Sequence, residues 1–331
     1  MKGDTILSEI STRRFGAPMC VAFALLTLQL AGPPGSLAQA VALDLNGRTI
    51  DSPEPLMDAA LLLEARYAKP VTYEDPVWQW RGDAYVAGHD ENAPMSLALK
   101  NRQLFLPDRL TPAETSLLDA ALVGRVLDAY HSQNAADTHY KVTTSRLGLH
   151  IIPTQFHNAS GQLVPAGTLL DAYIRVPEGR RMASDHLQAL RDAVTASAGT
   201  SLEGSGNDRW LDNFYAAGGL VPPKFATKVL TKEEQEPYSF VWGASTMTAR
   251  DALLSLLDSS ATTLSWRLLC QPSAKQRDRF CVLNVVPLQV PAIAADGNPL
   301  LDAAGKPKMR SVSYDRLREP PKSIPRPAPA P

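Results

Sequence analysis

Residues 238–289 read YSFVWGASTMTARDALLSLLDSSATTLSWRLLCQPSAKQRDRFCVLNVVPLQ, and the period of their apolar residues changes from helical to two. Thr248, followed by Ala249, Arg250 and Asp251, is a T-x-x-D capping box. Its hydroxyl can accept an early backbone N–H, and Asp251 suits the positive end of a helix. Ala249, Ala252, Leu253, Leu256 and Leu257 recur at helical spacing and form one apolar stripe. Ser259, Ser260, Thr262 and Thr263 then weaken the helix, because short hydroxyl side chains compete for backbone groups. Beyond them Leu264, Trp266, Leu268 and Cys270 alternate with Ser265 and Arg267. Cys281, Leu283 and Val285 likewise alternate with Phe280, Val282, Asn284 and Val286. These alternations predict two strands joined by the polar residues 271–279. Pro287 cannot donate to a ladder and ends the second.

A similar ending lies about 134 residues earlier, where Leu149-His150-Ile151-Ile152-Pro153-Thr154-Gln155 parallels Leu283-Asn284-Val285-Val286-Pro287-Leu288-Gln289. Asp119-Ala120-Ala121-Leu122 sits about where Asp251-Ala252-Leu253-Leu254 does. The first half begins with a strand over 41–48 and a helix capped by Ser52, with Pro53 in its first position and Leu56, Ala60, Leu63 and Tyr67 on one face. A strand over 69–73 follows. Thr111-Pro112-Ala113-Glu114 is a full capping box for the next helix, which carries Leu118, Ala121, Leu122 and Val126. Strands over 139–145 and 147–153 close this half, and the turn-rich residues 158–167 mark a boundary. The second half repeats the order: a strand over 171–176, a helix capped by Ser184 and ended near Gly199, a strand over 200–203, then the quoted stretch. The expected fold class is α+β, with two repeated mixed-sheet domains at 41–157 and 166–289. Long insertions at 74–108 and 204–237 interrupt them. The competing reading is two unrelated α+β units. A proline-rich tail over 290–331 is expected to be disordered.

The first forty residues read as a secretory signal. Arg13 and Arg14 precede the apolar CVAFALLTLQLA, and Ala38-Gln39-Ala40 is an A-x-A site with cleavage expected after Ala40. The competing reading is an uncleaved anchor. No later run reaches membrane length, so the mature chain is expected to be soluble, periplasmic or secreted. A net charge of -1 over 331 residues gives no electrostatic reason to expect nucleic acid as a partner. Without the signal only Cys270 and Cys281 remain, one on each strand of a single hairpin. An oxidising compartment permits a disulfide between them; otherwise they are buried thiols.

The phrase ALLSLLDSSATTLSWRLL, residues 252–269, leads into the strand over 280–286. It resembles the "ALLxLLxxTxLxWR" phrase of the short N-terminal domain of secretins and TonB-dependent receptors. The resemblance covers residues 166–289, with a looser version over 41–155. It implies the order strand, helix, strand, strand, helix, strand, strand. It also implies an envelope interaction module with no catalytic residue to carry over. The two insertions depart from that pattern, and residues 290–331 hold neither a barrel nor a pore.

No motif announces a reaction. The histidines at 89, 131, 139, 150, 157 and 186 form neither H-E-x-x-H nor a zinc pattern. His139 and His150 are placed to meet across the first hairpin. There is no G-x-S-x-G, phosphate loop or dinucleotide fingerprint, and the carboxylates show no recognisable paired spacing. No catalytic residue, metal ligand or cofactor is assigned. Binding is expected instead at the aromatic residues of the insertions, Trp78, Trp80 and Tyr85 on one side and Trp210, Phe214 and Tyr215 on the other. The competing reading is that these rings fill gaps at the sheet edge. The expected function is a non-catalytic envelope interaction module, its partner an envelope protein or cell-wall component. The alternatives are a secreted hydrolase of unrecognised type and a structural periplasmic protein.

Overall fold

The computed structural model describes residues 47–87, 96–106, 118–204, 208–215, 236–260, 262–272, 279–292, 294, 300–302 and 308–311. The signal segment, the capping box at Thr111 and the proline-rich residues 318–331 lie outside them. The chain is mixed α+β. The first half runs β1 (Thr49–Ser52), α1 (Pro55–Tyr67), β2 (Val71–Glu74), β3 (Ala84–Ala87), β4 (Ser96–Leu99), β5 (Arg102–Phe105), α2 (Ala120–Gln133), β6 (His139–Thr144), β7 (Leu149–His157) and β8 (Leu163–Pro165). The second runs β9 (Tyr173–Arg181), α3 (Ala183–Ala198), β10 (Ser201–Gly204), β11 (Phe240–Thr248), α4 (Ala249–Leu257), β12 (Leu264–Cys270) and β13 (Phe280–Pro287). A small pair, β14 (Gln289–Pro291) and β15 (Met309–Ser311), follows within what the sequence assigns to a disordered tail.

α4 matches its expectation closely. The Thr248 hydroxyl accepts from the Asp251 N–H at 3.1 Å, and all five residues of the apolar stripe are buried. Each fully buried leucine of that stripe contributes about 1.5–3 kcal/mol. Three helix starts differ from expectation. α1 begins at Pro55 after Glu54, and the Ser52 hydroxyl accepts from the Glu54 N–H, outside the helix. α2 begins after Asp119, whose carboxylate accepts from the Leu122 N–H at 2.8 Å. Ser184 does not cap α3, because its N–H and hydroxyl both donate to the carboxylate of Asp212. The first insertion contains β5, which completes the first half by pairing with β1.

The pairings of one half recur in the other. β1 and β5 form an antiparallel ribbon, as do β9 and β11. β2 lies parallel to β7, and β10 lies parallel to β13. Antiparallel hairpins β6–β7 and β12–β13 close the two halves. The residue three positions beyond the left-handed end of the first helix pairs with Leu149 in one half and Cys281 in the other. Those ends are Ala68 and Gly199. The similar strand endings aligned by sequence, Leu149 with Leu283, are thus offset by two from the ladder. A shift of two keeps each residue on its face.

Both halves share one sheet, in the order β10-β13-β12-β2-β7-β6 with β8 added beside β7. The expected boundary at 158–167 is the turn from β7 into β8 and the chain beyond it, so the halves are not separate layers. Residues paired directly across neighbouring strands share a face. Tyr73 and Ile151 face α1 and α2 in one core, while Trp266 and Leu268 face α3 and α4 in the other. Arg267 pairs with Tyr73 and so points to the α1 side. The helices of the two halves therefore cover opposite faces.

Two ion pairs hold the parallel joint between β12 and β2, one on each face, the first buried and the second partly so. Glu64 of α1 meets Arg267 and the Ser265 hydroxyl, and also accepts from the Val71 N–H at 2.8 Å. Arg250 of α4 grips Glu74 at 2.8 and 2.7 Å and reaches Asp171 at 2.6 Å. The Thr168 hydroxyl donates to Glu74 at 2.7 Å. In both pairs the first half supplies the glutamate and the second the arginine. His150, stacked on Trp266 at 4.9 Å, lies on the Arg250 face.

Candidate functional site

The joint leaves a hollow where α1 begins. β1 delivers Ser52, Pro53 and Glu54 to its rim, and the hairpin β12–β13 presents the side of its strands that α3 and α4 do not cover. The cavity measures about 360 Å³ and is walled by Met57, Leu99, Leu269, Phe280 and Val282, with Glu54 as the one ionisable lining residue among those described. Cys270, bonded to Cys281 with the sulfurs 2.00 Å apart, also borders it.

The Glu54 carboxyl lies beside that of Asp75. Asp75 is fully buried just beyond β2. One of its oxygens accepts from the Tyr73 hydroxyl at 2.8 Å, and the other from the Cys270 N–H at 3.0 Å. Its own N–H donates to the Leu268 carbonyl at 2.8 Å, so the carboxylate staples β2 to β12. Tyr73 touches the Tyr140 hydroxyl at 2.9 Å. Burial, reinforced by the Asp75 charge, raises the Glu54 carboxyl to about 9. Burial also raises Asp75, against the N–H and hydroxyl donors that favour its charge. Loss of water and the neighbouring charge thus both favour the neutral form of the Glu54 carboxyl.

Behind the pair Arg102 passes over the Trp78 ring at 5.3 Å and bridges Asp83 at 3.3 Å and Asp137 at 3.2 Å. His157 reaches Asp83 at 3.2 Å. The ligand atoms of Asp83, Asp137 and His157 lie within 4.8 Å of one another, a spacing a metal ion could use. The guanidinium already bridges both carboxylates and supplies the positive charge, so this cluster is a protein ion-pair network. Burial raises Asp83, opposed by His157 and Arg102.

The aromatic residues singled out by sequence do not converge. Trp78 is buried. Trp80 packs on His157 at 4.5 Å, over Gly82 and Gly161, where a Cβ would strike its ring. Trp210 rests against the second core. Tyr215 stacks on Phe240 at 5.1 Å and donates to the Leu256 carbonyl. The Phe214 side chain lies outside the described residues. Of the rings singled out by sequence whose side chains are described, Tyr85, half exposed, is the one that faces solvent broadly. His139 meets His131 at 5.0 Å, and His150 lies under Trp266. Glu54 and Asp75 carried no sequence signal, because strand pairing rather than spacing brings them together. No protein-family model, curated protein or solved structure matches this chain.

Proposed function

We propose that this chain is a non-catalytic binding module of the cell envelope, periplasmic or secreted, which holds a small amphipathic molecule between its halves. The cavity lining carries the reading. Its volume is within the range of ligand sites, about 300–1,000 Å³, and among the described residues its walls are mostly apolar, with one acid, Glu54. Asp75 is committed to strand contacts, and among the described residues no histidine lines the cavity. The half-buried Glu54 carboxyl, its charged form disfavoured by lost water and the Asp75 carboxylate, resists ionisation unless a positive charge joins it. The matching ligand has an apolar body and an amine head that displaces the proton. The order β9-α3-β10-β11-α4-β12-β13 supports the resemblance to secretin and TonB-receptor N-terminal domains. The disulfide and residues 1–40 support export.

Calorimetry with n-octylammonium tests this. Binding is expected to release a proton, to tighten between about pH 6 and about pH 9, and to lose that pH dependence in Glu54→Gln. Octanoate, of equal length and opposite charge, is expected not to bind. Equal binding of both, or of neither, rejects the reading.

The carboxyl pair also favours a second reading, a secreted hydrolase with Glu54 as general acid. Turnover of aryl esters or glycosides that disappears in Glu54→Gln would select it.

A further inference from the structure

The joint inside the molecule is also a rule for extending the sheet. β12 lies parallel to β2, and the strands of each half run in the same relative directions. A half-turn about an axis across the strands, with a shift of three strands, carries β10-β13-β12 onto β2-β7-β6. The same operation exchanges the helix-covered faces, as observed. Applied once more, it sets a β10 beside β6, again in parallel. Among the described residues neither β6 nor β10 has a strand partner on its outer side. Unpaired edges of this kind are templates for another strand. We propose that the occupant is a second copy of this chain, with β6 of one molecule pairing in parallel with β10 of the next.

Corresponding side chains support the match. At the internal joint Val71 turns its N–H outward to Glu64. At the outer edge Leu202, in the same position after its helix, turns its N–H to the Thr195 hydroxyl at 2.9 Å. On the other side Lys141 stands in β6 where Arg267 stands in β12. Each flanks a residue paired with an inner core position, Val142 with Ile151 and Leu268 with Leu283. Lys141 is exposed. The extended sheet brings it to the last turns of α3, where Asp192 is an exposed carboxylate one turn before Thr195. The contact joins two different surfaces, so it does not close on itself and copies add head to tail. With Lys141 and Thr195 in place of a buried ion pair, it is weaker than the internal joint and depends on concentration.

Sedimentation velocity of the exported chain over rising concentration tests this. The wild-type sedimentation coefficient is expected to climb past that of a dimer without a plateau. Lys141→Glu, at an exposed position, is expected to suppress the climb with an unchanged circular dichroism spectrum. The double variant Lys141→Arg with Thr195→Glu rebuilds the internal charge pair at the outer edge. It should lower the concentration for half-assembly roughly tenfold. A wild-type chain that stays monomeric throughout, or that stops at a dimer, overturns the proposal. So does a double variant that assembles no better than wild type.

Discussion

The last turns of α1 and α3 solve one local problem with different residues. In each half the strand after the helix turns an N–H toward the sheet edge, and a helix side chain takes it. Glu64 does so in the first half and Thr195 in the second. A neutral hydroxyl suffices where no described strand lies alongside. Where β12 lies alongside, the acceptor is a carboxylate that also binds Arg267 and Ser265. Charge thus marks the edge that carries an internal partner. Buried ion pairs contribute less net stability than their geometry suggests, because both charges lose water. Their contribution here is to fix which strands meet and in what register.

Glu64→Leu breaks that comparison most severely. It strands Arg267, which is almost wholly buried and has no second carboxylate partner among the described residues. The expected loss is about 3–5 kcal/mol, read as a lower urea midpoint at unchanged slope. Glu74→Gln is expected to cost less, about 1–3 kcal/mol, because Arg250 keeps Asp171 at 2.6 Å. Equal losses in the two variants would show that the two faces of the joint are not distinguished by their second partners.

These residues also mark the limit of what the sequence discloses. The period of α4 and its Thr248 cap were legible because helix contacts are local and the stripe is complete. The alternation in β12 correctly put Trp266, Leu268 and Cys270 on the core side. It put Ser265 and Arg267 on a polar face, which is true, but that face is buried under α1 of the other half. Periodicity reports which residues share a face and says nothing about what covers it. β5 was hidden inside an apparent insertion, since its four residues pair with the distant β1. The Glu54–Asp75 pair was invisible for the same reason: Asp75 is positioned by Leu268 and Cys270, nearly two hundred residues away. Aromatic residues in a polar stretch suggested a surface, yet Trp78 lies behind the cavity, in the core beside Arg102.

The two hairpins give an intermediate effect. β6 and β7 are joined by a tight turn in which the Ser145 N–H donates to the Gly148 carbonyl at 2.9 Å. β12 and β13 carry a longer connection, and the Cys270–Cys281 bond closes it at directly paired positions. Replacing both cysteines by alanine is expected to cost about 3 kcal/mol, the loop-closure entropy of a ring this size. A loss well below 1 kcal/mol would mean that the ladder alone holds the second hairpin as firmly as the short turn holds the first.

The smallest effect concerns protons and separates the cavity from the joint. Glu54 has a folded-state affinity for its proton raised to about 9, above that of an unfolded glutamate. The folded chain therefore holds more protons than the unfolded one between those values, and stability must fall as pH rises through that window. Asp75 acts in the same direction over a lower range. His150, pushed down to about 4 by burial, acts oppositely, adding stability as pH rises from about 4 toward its unfolded value near 6.5. The contributions overlap in acid, but above neutrality that of the glutamate continues while that of the histidine is complete. The melting temperature of the wild type is expected to drop between about pH 7 and about pH 9, and that of Glu54→Gln to stay nearly level. Glu64→Gln, at the joint, should keep the wild-type slope from a lower starting point. Parallel slopes in the wild type and Glu54→Gln would mean that the cavity carboxyl is already ionised at neutral pH, so that an amine would bind there without releasing a proton.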